Sequence, residues 1–247
     1  MESTTKPVRI AAIADIHVSA TDKNRWVEFF RTVSQQADVL LICGDLTDTG
    51  DESEAEILQA EMKSCTIPVV CVLGNHDYEK GRQKLIRQIV QEQHHVHVLD
   101  GEAVILHGVG FAGVKGFGGG FDGHMLSMFG ETAMKAFVQE AVDEALHLDR
   151  ALARLDQEHA DIKKVALMHY SPMLETVKGE PEQIYPFLGS SRLAEPLVRR
   201  KVVAAFHGHA HAGTAKGMLS DIVPVYNVAR HVLDTAHPAA GFFLLEL

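Results

Sequence analysis

The chain has 247 residues, 46% hydrophobic and 23% charged, which is enough for one substantial core and excludes a disordered or low-complexity class. Its formal net charge of -10 with neutral histidines disfavours nucleic acid or an anionic membrane as a partner, because both need a basic surface. An acidic chain can still handle phosphates where metal cations reverse the local field.

The opening MESTTKPVRI has no basic stretch leading into a long apolar run, and no later run approaches the length of a bilayer span, so a cytoplasmic protein without a membrane partner is expected. Val8 to Ala14 reads as a strand, and Trp26, Phe29, Phe30 and Val33 then repeat at helical spacing. Asp38 to Cys43 and Ile67 to Leu73 are further apolar runs, separated by a segment with Ala55, Leu58 and Met62 on one side. Leu85, Ile86, Ile89 and Val90 mark the next helix. Cys43 and Cys71 fall inside strand-like runs, and with Cys65 they make an odd count without a CxxC pair, which reads as reduced, buried thiols.

From about residue 96 the pattern changes to short strands at Val96 to Leu99, Ala103 to Leu106 and Val109 to Val114. The stretch GFGGGFDG, residues 116 to 123, reads as a tight connection where backbone meets backbone, since no Gly-Lys-Ser/Thr follows to make a P-loop. A long helix is expected over residues 131 to 159, with Met134, Phe137, Val138, Ala141, Val142 and Ala145 facing inward. Val165 to Met168, Val202 to Phe206, Val223 to Val228 and Gly241 to Leu245 supply the last strands. No repeat or linker interrupts the chain, so residues 1–247 read as one domain.

Near its C-terminal end the chain reads AFHGHAHAG, residues 205 to 213, with histidines at 207, 209 and 211. Spacing alone leaves a ligand cluster and a solvated strand end about equally open. Four other clusters also follow apolar runs: Asp15-Ile16-His17, Gly44-Asp45-Leu46-Thr47-Asp48, Gly74-Asn75-His76-Asp77, and His169. Loops at strand ends converge on one edge of a rigid sheet. Together these clusters hold carboxylates, imidazoles and one amide, a donor set suited to two neighbouring divalent cations.

The ordered series D-x-H, GD-x-x-D, GNHD, H and GH-x-H, spanning residues 15 to 211, resembles the signature of the calcineurin-like metallophosphoesterases. The tail VYNVA and the stretch from HYSP to GSSRL are similar to small bacterial members. The resemblance implies a four-layer α/β/β/α sandwich, with two mixed β-sheets packed face to face and flanked by helices. It implies two metal ions (Mn, Fe or Zn): Asp15, His17 and His211 on the first, Asn75, His169 and His209 on the second, and Asp45 bridging both. Two such cations, roughly 3.5 to 4 Å apart, would generate a bridging hydroxide that attacks phosphorus in line. His76 would stabilise phosphoryl oxygens or protonate the leaving group, with Asp48 orienting its ring.

Other readings stand beside these. Asp77 also reads as only a turn or helix cap. His207 precedes the motif glycine and reads as packed beneath the site. Lys115, Arg192 and Arg230 are candidate phosphate contacts whose default is a solvated role. Nine further histidines, His231 among them, match no motif. A small-molecule phosphodiester or phosphomonoester is the expected substrate, shaped by the loop from Ser171 to Arg192. A protein serine/threonine phosphatase is disfavoured, because that branch has GD-x-x-D-R-G and GNHE where this chain has Thr49 and Asp77. A nuclease is disfavoured by charge and length. A non-catalytic scaffold predicts eroded ligands, and every motif position here carries a competent residue.

Overall fold

A computed structural model describes residues 6–237 and 241–247. Three strands, β1 (Arg9–Ile13), β2 (Val39–Cys43) and β3 (Val69–Val72), are short apolar runs buried almost throughout. Such continuous runs mark parallel strands covered on both faces. With β4 (Val96–Val98) they form a parallel sheet, which β11 (Phe243–Glu246) extends antiparallel to β1. Helices α1 (Val27–Gln36), α2 (Glu52–Met62) and α3 (Gln83–Gln91) connect these strands and bury Phe30, Val33, Leu58, Met62, Ile86 and Val90. Asp51 starts α2 through a capping box with Glu54, and Glu54 also accepts from the Thr49 backbone N–H.

The second sheet runs β5 (Glu102–Leu106), β6 (Val109–Gly113), β7 (Lys163–Leu167), β8 (Ala204–His207), β10 (Val223–Asn227) and β9 (Lys216–Leu219), parallel in its centre and antiparallel at both edges. Side chains alternate along its central strands, with large and small residues on opposite faces. Phe111, Val165, Leu167 and Phe206 join the core shared with the first sheet, while Ala112, Ala166 and Ala205 face α4 (Thr132–Glu158) and α6 (Ala194–Arg199). Small residues let the helices close on the sheet, and large ones fill the gap between sheets. The result is the expected four-layer arrangement with two mixed sheets. Two short helices, α5 (Tyr185–Leu188) and α7 (Arg230–Ala236), lie in the connections.

Several local expectations change. Strand β9 has no counterpart in the sequence pattern, because only Gly217 of its four residues is buried and no apolar alternation marks it. Met134 is exposed. The buried stripe of α4 instead starts at Val138 and continues through Ala141, Glu144, Leu148, Ala151, Leu152 and Leu155. The 116–123 segment is the tight connection expected: a Cβ at Gly118 would lie 2.6 Å from the Pro186 carbonyl oxygen. All three cysteines are buried and free. No described helix is long and apolar enough to cross a membrane.

Phe206 is fully buried at the junction of the sheets and stacks on Tyr226 at 5.3 Å. Phe206→Ala should cost about 3–5 kcal/mol in urea unfolding, since the sheets cannot collapse onto the space left. A loss below about 1 kcal/mol would show that this seam is not well packed.

Candidate metal centre

Strands β1, β2, β3, β7 and β8 end at one edge of the two sheets, and the residues that follow carry the motif side chains. Main-chain hydrogen bonds stitch these ends together. Asp15 N–H donates to the Gly44 carbonyl, His17 N–H to the Asp45 carbonyl, Ala14 N–H to the Val228 carbonyl, and Gly208 N–H to the His169 carbonyl. Asp15, His17, Asp45 and His209 all have positive φ, between 43° and 68°. Non-glycine residues hold this left-handed conformation at a cost of order 1–3 kcal/mol each, and only where the surroundings enforce it.

Two glycines are required by close approach. A Cβ at Gly74 would lie 2.1 Å from Asp45 Oδ1, and one at Gly208 would lie 2.5 Å from both Asp15 Oδ2 and the Ala14 Cβ. The left-handed turn after β8 falls at His209, and Gly208 supplies room for Asp15.

Asp77 is a clamp between loops. Its buried carboxylate accepts from the backbone N–H groups of Leu46, Thr47 and Gly74 and from the Thr47 hydroxyl, at 2.6 to 3.1 Å. The loop after β2 is thereby fixed to the loop after β3.

Three overlapping groups bring ligand-type atoms within 4.8 Å of one another: Asp15, His17 and His211; His17, Asp45 and His76; and Asp45, His169 and His209. Asp45 turns Oδ2 toward His17 Nε2, 3.6 Å away, and Oδ1 toward His169 Nε2, 3.4 Å away. His169 Nδ1 is 3.0 Å from the Cys43 carbonyl oxygen and so carries the proton there. Its Nε2 lone pair then faces Asn75 Oδ1 at 2.8 Å, an acceptor against an acceptor. His17 Nδ1 is buried without a hydrogen-bond partner. Facing lone pairs of N and O donors, with an orphaned ring nitrogen beside them, fit divalent cations.

Ring nitrogens also separate the three neighbouring histidines. His207 is fully buried, with Nδ1 donating to the Gly208 carbonyl at 2.8 Å and Nε2 2.8 Å from the Thr176 hydroxyl, so neither nitrogen is left for a ligand. His209 uses Nε2 on the Phe187 carbonyl at 3.1 Å, which leaves Nδ1 for the Asp45 and His169 group. His211 places Nε2 3.1 Å from Asp15 Oδ1. Asn227 holds this loop from behind, its amide donating to the Ala210 carbonyl and its oxygen accepting from Ala229 N–H. Sequence reasoning misses Thr176 and Asn227, although Asn227 sits in the VYNVA tail.

Electrostatics follow the packing. Burial, with His169 beside it, brings the His209 imidazole down to about 3, and burial brings His17 to about 4, so both lone pairs are free at neutral pH. Burial pushes the Asp15 carboxyl up, but His211, His169 and His209 outweigh it and hold the group at about 2. Burial and the charge of Asp15 raise Asp45 against the pull of His169. Burial opposes charge on His76, yet the Asp48 carbonyl and the carboxylates of Asp45 and Asp48 raise its pKa.

One expected contact takes a different form. Asp48 holds His76 through its main-chain carbonyl, 2.6 Å from Nδ1, while its carboxylate faces His17 Nδ1 at 3.5 Å. The reason is the turn after β2, where Asp48 N–H bonds back to the Val18 carbonyl and the peptide presents its oxygen to the ring. Lys115 is buried rather than solvated, beside Glu144 and against the rings of Phe117, Tyr78 and Tyr170. Arg192 bonds the Leu126 carbonyl. Arg230 borders a cavity that reaches Asp15 and His17. The 171–192 segment folds into short helical turns and supplies the Phe187 carbonyl.

A sequence profile of calcineurin-like phosphoesterases matches residues 8–213. A 3',5'-cyclic-nucleotide phosphodiesterase of Nostoc sp. is 33% identical over 92 residues, which cover 32% of this chain and 35% of that protein. The chain therefore aligns with about a third of that relative's length. The phosphopantetheinyl hydrolase of Mycobacterium tuberculosis has a similar fold, with a TM-score of 0.67, 15% identity, and coverage of 97% of this chain and 96% of the other. A protein of Thermus thermophilus aligns with a TM-score of 0.60 and 16% identity over 97% and 99% of the two chains. At these identities the likeness is one of fold.

Asp77→Ala should strand four donors and destabilise the protein by on the order of 3 kcal/mol in urea unfolding, with Asp77→Asn intermediate. If the alanine variant matches the parent, the clamp does not hold the loops.

Proposed function

The chain belongs to the calcineurin-like phosphoesterase family, and from that premise we propose that it hydrolyses a small phosphodiester or phosphomonoester at a two-metal site. The observation that carries this reading is Asp45, a nearly buried carboxylate whose two oxygens face different imidazole groups. In this reading Asp15, His17 and His211 hold one cation, Asn75, His169 and His209 hold the other, and Asp45 serves both. Such a pair supplies neutralisation of phosphoryl charge and a more acidic bound water. The metals are of the Mn, Fe or Zn kind, which N and O donors accept alike.

The chain's own residues supply the rest. His76 donates Nδ1–H to the Asp48 carbonyl, which fixes the ring and leaves Nε2 toward the substrate. The neighbouring carboxylates favour its protonated form, so Nε2–H can donate to a phosphoryl oxygen or to the departing alkoxide. His76 N–H also donates to Asp45 Oδ1 at 2.9 Å, tying the acid to the carboxylate beneath it. The Asp48 carboxylate lies 3.5 Å from His17 Nδ1. A diester is supported by the name of the cyanobacterial relative. A protein-phosphatase reading lacks its arginine, because Thr49 is instead bonded to Glu54 at the start of α2. The net charge of -10 weighs against a nuclease.

Purified protein with added Mn2+ should hydrolyse bis(p-nitrophenyl) phosphate, and Asp45→Asn should lower kcat/KM on the order of 100-fold or more. Two bound metals with no activity above that variant on a phosphoester panel would refute the enzyme reading. His76→Ala should lower kcat by about 10²- to 10⁴-fold while metal content by mass spectrometry stays unchanged. Loss of both metals would instead make His76 a ligand. His207→Ala should keep both metals, whereas His209→Ala and His211→Ala should not.

A further inference from the structure

A cavity of about 390 Å³ opens beside the centre. Asp15, His17 and Asp48 of the centre line it together with Arg25, Arg230 and His231. Neither Asp45 nor any of Asn75, His169 and His209 lines it, so it leads away from the midpoint of the site on the Asp15 side.

Arg25 and His231 are exposed and Arg230 is half-buried, but contacts fix the position of all three. Both guanidiniums lie over the ring of buried Trp26, Arg25 at 5.6 Å and Arg230 at 5.9 Å from its centroid. Arg25 is already neutralised by Asp22, with two bonds at 2.9 and 3.1 Å. Arg230 forms no ion pair among the described residues. Its backbone N–H donates to the Ala14 carbonyl at 3.1 Å, which registers it against the residue just before Asp15. His231 stacks on His211, with centroids 4.7 Å apart and planes 19° apart. A planar guanidinium held against an aromatic face, with its donors uncommitted, is suited to clamp an oxyanion.

We propose that Arg230 is a specificity-determining residue that binds a second anionic group of the substrate, a carboxylate or phosphate set apart from the scissile phosphorus. This deepens the phosphoesterase reading and rests on it for the placement of the reacting group. The site would therefore select esters whose non-reacting part is itself acidic, and would reject cationic ones. Arg25 and Asp22 form the neutral wall of the same arm, and Trp26 keeps both arginines in place.

Two readouts test this. For hydrolysis, the Mn2+-loaded protein is given p-nitrophenyl phosphodiesters whose second ester group is ethyl, carboxyethyl or trimethylammonioethyl. For binding without turnover, calorimetry compares 3-phosphonopropionate with propylphosphonate. The parent should favour the carboxylate-bearing member of each set by about tenfold or more, the effect of one charge-assisted bidentate contact. Arg230→Gln should abolish the ratio, and Arg230→Lys should restore part of it, which loss of packing against Trp26 would not do. Equal preference in the parent, or a ratio that survives in Arg230→Gln, overturns the proposal even if the diesters are hydrolysed. Preferential phosphonate binding without hydrolysis of any ester leaves the anion arm standing and refutes the phosphoesterase reading instead.

Discussion

The closeness of the two sheets at their shared edge is the constraint on which the rest of the site depends. The backbone at Gly208, from the second sheet, runs so near Asp15, from the first, that no side chain fits between them. Hydrogen bonds from Ala14 N–H to the Val228 carbonyl, and from His209 N–H to the Asp15 carboxylate, hold the seam closed. This closeness keeps Asp15, Asp45 and His209 in left-handed conformations and packs their side chains into contact. The large residues between the sheets and the alanines facing α4 are the means by which the strand ends reach that position.

Like charges and lone pairs gathered in this way are unfavourable without a counter-charge. Asp15 and Asp45 are buried together, and the surrounding imidazoles at His17 and His209 are held neutral by burial. The protein thus concentrates negative charge and lone pairs at one point of an already acidic molecule. Cations at that point would reverse the local field and make the site attractive to phosphate esters, as the composition requires of any phosphate-handling acidic chain. The Arg230 guanidinium stands on one flank of this centre, beside the cavity that reaches Asp15 and His17.

Much of this was legible in the sequence because the information is local. Continuous apolar runs at 39–43 and 69–72 mark buried parallel strands, and a glycine followed by a ligand-type residue marks the ends of β2, β3 and β8. The resemblance carried by the five motifs pointed to the right layers. What the sequence withheld depends on packing at a distance. The backbone carbonyl of Asp48, rather than its carboxylate, reaches His76, and residue type carries no record of which oxygen a turn presents. Asp77 was ambiguous because capping and clamping use the same carboxylate, and only its four donors from three loop positions decide between them. Lys115 and Arg230 looked alike as isolated cations, yet one is buried against Glu144 and the other stands over Trp26 beside the cavity.

In the proposed reading the seam between the sheets creates two cation sites that share Asp45. Crystals of the Mn2+-loaded protein measured at the manganese absorption edge test it most directly. Two anomalous peaks should flank the Asp45 carboxylate, separated by about 3.5–4 Å, with Asp15, His17 and His211 on one and Asn75, His169 and His209 on the other. A single peak, or manganese bound away from Asp45, would rule out a shared two-cation site.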